Sequence, residues 1–193
     1  MLDLKRIKHS LSYLILLLIM TGCNEGNQAD MTKSKDKNSV IKTKNEPMFM
    51  AIPKNDPGLQ DAYSKASKTI DEFITLLKVK DSSCYNAKLR FRDPDESERL
   101  GKDIYLLLWL NNVSYDENEN ILSGAFFEVP SELAKWHHVG QIISFDKEDV
   151  FDWMVLSFEG KLKGGFTIRE NRKYIPENQQ EEYDRYIGVT HYE

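Results

Sequence analysis

The chain has 193 residues, 31 of them acidic against 26 basic, for a formal net charge of −5. Phosphate backbones are bound by clustered Lys and Arg, so this acidic balance argues against nucleic acid as a partner. Of the two cysteines, Cys23 is committed elsewhere by the pattern described below. That leaves Cys84 unpaired, and stability must come from an apolar core.

At the N-terminus, Lys5, Arg6 and Lys8 precede an apolar run from Leu11 to Met20. A membrane-spanning helix needs about 20 apolar residues, and this run is half that length, so residues 1–22 are expected to be a secretory signal. Met20-Thr21-Gly22-Cys23 resembles a bacterial lipobox: one bulky apolar residue, two small ones, then cysteine. The resemblance implies a diacylglyceryl group on the Cys23 thiol, cleavage just before it, and acylation (palmitate or a similar chain) of the new N-terminus. Several acyl chains hold a protein on a bilayer where one alone binds only marginally. The alternatives are an uncleaved short anchor or an ordinary secreted protein. Asn24, by resemblance to lipoproteins of cells with two membranes, implies delivery to the outer membrane, facing the periplasm.

Residues 23–47 follow as a flexible tether, because "NEGNQADMTKSKDKNSVIKTKNE" holds too few apolar side chains to offset the entropy of ordering it. Residues 48–193 are expected to form a single domain. Asp56-Pro57 can cap a helix. Leu59, Ala62, Tyr63, Ala66, Ile70, Phe73, Ile74 and Leu77 then recur at helical spacing. From Ala87 to Arg92 the period is two, which predicts a strand with one wet face. "DPDESERLGKD" reads as a loop, "IYLLLWL" as a central strand apolar on both faces, and "ILSGAFFEV" and "GQIISF" as further strands. The stretch "DWMVLSFEGKLKGGFTIR" reads as a hairpin, with a helix following at 177–187. The expected class is α+β: an N-terminal helix packed on a mostly antiparallel, curved sheet of about five to six strands.

The last hairpin sets a candidate surface. With a three-residue loop Glu159-Gly160-Lys161, residues Met154, Leu156 and Phe158 join Leu162, Phe166 and Ile168 on the core face. Trp153, Gly165, Thr167 and Arg169 then share the opposite face, with Trp153 across from Thr167. An indole, a guanidinium and bare backbone make a candidate binding patch. The alternative is that the opening helix covers this face and Trp153 is packing.

"DVFDWMV" followed by "EGKLKGGFTIRE" resembles the signature of a bacterial family known as domain of unknown function 2314, DUF2314. Asp152, Trp153, Met154, Gly164, Gly165, Phe166, Thr167 and Arg169 stand at the matching positions. The resemblance implies kinship over Leu59 to Arg169 and an α+β fold, and it implies no activity.

Other patterns point more weakly to chemistry. Cys84 with His137 or His138 could pair as nucleophile and base, but no cysteine-enzyme motif surrounds them. Adjacent His137 and His138 on extended backbone point apart, so no metal is expected. The Asp116, Asn118 and Asn120 spacing starts like a calcium loop and fails at Ile121 and Phe127. Gly164-Gly165 is read as entering a strand, without the helix N-terminus that holds phosphate. No motif points to a cofactor. The leading expectation is therefore a lipid-anchored envelope module that binds rather than catalyses. Its partners are the membrane, through lipid on Cys23, and either a protein or a small envelope component. The alternative is an envelope hydrolase using carboxylates among Asp149, Asp152 and Glu159.

Overall fold

The first element starts where Asp56 and Pro57 imply. In the computed structural model, which describes residues 56–79, 81 and 83–193, the Asp56 carboxylate accepts from the Leu59 amide at 3.0 Å. Helix α1 runs Pro57–Lys68. The expected signal, Cys23 and the expected tether lie outside the described residues. The helical period through Leu77 is interrupted at Thr69 and resumes as α2, Ile70–Val79. The Thr69 hydroxyl donates to the Lys65 carbonyl at 2.8 Å, a back-bond that competes with the helical ladder.

After strand β1, Cys84–Asp93, the expected loop is instead a helix, α3, Pro94–Leu100. Its sequence is too polar to show an apolar stripe, but its ends carry the signals. Asp93 accepts from the Glu96 amide at 3.0 Å, Pro94 opens the first turn, and Gly101 ends it at φ 64°.

The remaining strands are β2 Ile104–Asp116, β3 Ile121–Phe126, β4 Ile142–Phe145, β5 Asp152–Leu156, β6 Lys161–Gly164 and β7 His191–Tyr192. Helices α4, Phe166–Lys173, and α5, Glu177–Tyr186, lie between β6 and β7. The sheet is open, with seven strands in the order β4-β3-β2-β1-β5-β6-β7, antiparallel except at β6–β7. The fold is therefore α+β. The count exceeds five to six because the C-terminal pair His191–Tyr192 adds an edge strand too short to read from sequence.

Register divides the sheet into two faces. Tyr85, Ala87 and Leu89 of β1, Leu110 of β2, and Trp153 and Val155 of β5 pack with Ala66, Ile70, Phe73 and Leu77. The opposite face carries Lys88, Trp109, Met154, Leu156 and Leu162, and it meets Ile168, Tyr183, Ile187 and Val189. The C-terminal helices cover only part of this second face. Leu107 of β2 stays 37% exposed, so the expectation that β2 is buried on both faces holds at one end only.

The last hairpin keeps the expected faces and changes its register. Leu156 pairs with Leu162, Val155 with Lys163 and Met154 with Gly164, two residues away from the predicted pairing. The parity is the same, so Met154, Leu156 and Leu162 do share a face. The turn is 158–160, with Gly160 at φ 81°, and Phe158 is 95% exposed in it rather than in the core. "FTIR" is not a strand. Gly164 and Gly165 take φ values of 70° and 61°, turn the chain off the sheet, and hand it to α4.

Candidate functional site

The four residues of the predicted patch are dispersed by that turn. Trp153 is 1% exposed, stacked on Phe73 with centroids 5.3 Å apart. Its indole N–H donates to the Thr69 hydroxyl at 3.1 Å and the Ala66 carbonyl at 3.3 Å. It is therefore packing, as the alternative reading had it. Thr167 is fully buried at the start of α4, and buried Gly165 is the cap of that helix. Arg169 donates to the Gly164 and Leu162 carbonyls at 2.8 and 2.9 Å and lies over the Tyr192 ring at 5.2 Å, not over the indole. No common exposed face unites them.

One of them, Thr167, instead belongs to a buried polar cluster that periodicity could not reveal. The Asp152 carboxylate accepts from the Thr167 amide at 2.8 Å, the Thr167 hydroxyl at 2.6 Å, the Phe166 amide at 3.2 Å and the Trp153 amide at 2.9 Å. It thus caps α4 from another strand. Lys88 donates to the same Thr167 hydroxyl at 2.8 Å, and its ammonium lies 4.9 Å over the Trp109 ring. Burial pushes the Asp152 carboxyl up, with the Thr167 hydrogen bonds and Lys88 pulling the other way. Burial likewise pushes the Lys88 ammonium down, opposed by Asp152. A hydroxyl between an amine and a carboxylate resembles an activated nucleophile. Asp152 and Thr167 are both fully buried and bonded to each other, so the cluster organises the fold rather than facing a substrate.

The accessible feature lies on the far side of Trp109. A pocket of about 380 Å³ opens between the second sheet face and the C-terminal helices, near the small end of the range for ligand sites. Trp109, Met154, Leu156 and Leu162 supply the sheet side. Ile168 and Asn171 come from α4, Ile175 follows it, and Tyr183, Tyr186, Ile187 and Val189 come from α5 and its exit. Phe127 and Glu128, just past β3, complete the lining. Burial lifts the Tyr183 phenol to about 12. The sequence signal for this site was the apolar second face of β2. Its other wall comes from a helix whose own sequence is mostly polar.

The remaining expected groups are scattered. Asp149 is exposed after β4, and Asp152 begins β5. Glu159, beyond the other end of β5, pairs with Lys161 at 2.7 Å. Cys84 is exposed at one end of β1. His137 packs on Phe126 and Phe91, and Phe91 is seven positions further along the strand, about 23 Å away. That separation rules out a Cys84–His137 dyad. His138 is exposed, and among the described residues no group of three His, Cys, Asp or Glu is placed to hold a metal.

Comparison with known proteins agrees with this single folded region. Residues 56–191 match the family described as "Uncharacterized protein conserved in bacteria (DUF2314)". Uncharacterized protein YegJ of Escherichia coli (strain K12) is 28% identical over 110 residues, covering 57% of this chain. The chain spans 64% of the length of that curated relative. No solved structure matches it. The matched range runs from the Asp56 cap of α1 to His191, the first residue of β7, so the chain belongs to the DUF2314 family.

Proposed function

We propose that this protein is a lipid-anchored binding module of the cell envelope, and that the pocket between the second sheet face and α4–α5 is its ligand seat. The pocket carries the reading: a concave apolar volume of about 380 Å³ with a few polar groups at its edge is the usual form of a small-molecule site. The polar groups best suited to chemistry, Asp152, Thr167 and Lys88, are spent on one another. Binding rather than turnover fits that division.

In this reading residues 1–22 are the signal, 23–47 the tether and 48–193 the domain, with the membrane as partner through acylated Cys23. The chain would stand on the outer membrane, facing the periplasm, in a cell with two membranes. Two or more acyl chains supply the attachment, each buried methylene contributing about 0.8 kcal/mol.

Two measurements test the proposal. Mass spectrometry of the mature N-terminal peptide should find lipid on Cys23, and no cleaved Cys23→Ser chain should stay with membranes; an unmodified sulfur, or a cleaved variant still on membranes, would overturn the anchor. Thermal-shift screening against small molecules from envelope extracts should find a stabilising fraction, since a ligand at a hundredfold its Kd adds about 2.7 kcal/mol. The shift should vanish in Ile187→Trp, which fills the pocket. A shift that survives the filling would move the site elsewhere.

A further inference from the structure

The pocket has one charge. Of the side chains that line it, only Glu128 is ionisable to a full charge near neutral pH, and it stands at the exposed edge beside Phe127. Among the described residues its carboxylate has no ion pair or hydrogen bond. No other side chain that lines the pocket carries a full charge, so Glu128 has no counter-charge within the lining. Two aromatic rings share the mouth with Glu128, Phe127 at 45% exposure and Tyr186 at 59%. Apart from Asn171 and the Tyr183 phenol, the rest of the lining is apolar, and it includes Leu162, which is fully buried.

We infer that the pocket takes an amphiphilic cation: an apolar chain or ring in the depth, and an ammonium head held at the mouth by Glu128, Phe127 and Tyr186. The inference rests on reading the pocket as the ligand seat. Aromatic faces attract cations through the ring quadrupole, and an unpaired carboxylate adds a Coulombic component that an anionic or neutral head cannot use. An anionic head would meet Glu128 with no cationic side chain among the lining residues to balance it. The depth of the pocket sets the other limit. Lys88 already places its ammonium 4.9 Å over Trp109, so a second cation is disfavoured at the floor and the head belongs at the rim. The volume holds on the order of a dozen water-sized groups, which suits a medium-length tail and not a protein segment of tertiary size.

The test uses the mature chain, residues 23–193 with Cys23→Ser, so that neither acyl chains nor the apolar run before them competes for the probes. Calorimetric titration compares decyltrimethylammonium, decanoate and decanol, each below its micellar concentration. The ammonium probe should bind about tenfold more tightly than decanol, and decanoate most weakly. Glu128→Gln, at an exposed position that should not disturb folding, should erase the ammonium preference, and Glu128→Lys should reverse it toward decanoate. If decanoate binds the unchanged pocket as well as the ammonium probe does, or if Glu128→Gln leaves the preference intact, the cationic class is overturned while the pocket stands as a seat. If none of the three binds, the ligand seat itself falls with it.

Discussion

The Asp152 carboxylate and Thr167 are joined twice, through the amide at 2.8 Å and the hydroxyl at 2.6 Å, although 15 residues separate them in the chain. That pair closes the turn from β6 into α4. The first turn of α4 needs acceptors for its orphan amides, and its own cap residue, Gly165, has no side chain to offer one. A strand residue supplies the cap instead, and the helix is thereby fixed to the end of β5.

Asp152→Ala should therefore lower stability by about 3 kcal/mol or more. It removes a helix cap and leaves buried amides of Trp153, Phe166 and Thr167 short of an acceptor. Denaturant unfolding measures the loss. A cost below about 1 kcal/mol would mean that α4 holds its place without this carboxylate.

Trp153→Ala should cost about 3–5 kcal/mol, the range for deleting a buried aromatic side chain. The variant also loses the stack on Phe73 and the bonds to Thr69 and Ala66. Trp153→Phe should cost less, because Thr69 still donates to Lys65. Thermal unfolding of the two variants separates packing from hydrogen bonding.

Gly164→Ala should destabilise sharply, with no change in any binding that the folded fraction shows. At φ 70° a side chain is already strained by about 1–2 kcal/mol. A Cβ there would also collide with the Trp153 carbonyl oxygen and stand 2.6 Å from its ring. Backbone and a fully packed indole cannot retreat, so the expected readout is a low yield of folded protein and a drop in Tm.

The alkaline limb of stability should carry the mark of Tyr183. Burial raises its phenol from the ordinary 10 to about 12. The folded state then keeps the proton that the unfolded state gives up. The contribution is complete below about pH 10 and disappears as pH rises through 12. Tyr183→Phe should reduce the slope in that window by up to about 1.4 kcal/mol per pH unit. An unchanged slope in pH-dependent unfolding would mean that Tyr183 titrates normally.

Elements whose information is local could be read from the residues alone. Asp56-Pro57 marked the start of α1, period two marked β1, and the parity of Met154, Leu156 and Leu162 survived an error of two residues in register, because side chains on a strand alternate whatever the pairing. The family was legible in the same way, from "DVFDWMV" and "GGFTIR". Features stabilised from a distance emerged only with the folded arrangement. Thr167 and Ile168 are β-branched and read as strand, yet they are helical because Asp152, far back in the chain, satisfies the amides at that end. The pattern around Trp153 suits either a surface anchor or packing, and the cover of α1 and α2 makes it packing. The pocket could not be read at all, since its sheet side lies in β2, β5 and β6 and its other wall in a polar helix near the C-terminus. A cavity belongs to the space between elements, and no window of sequence contains it.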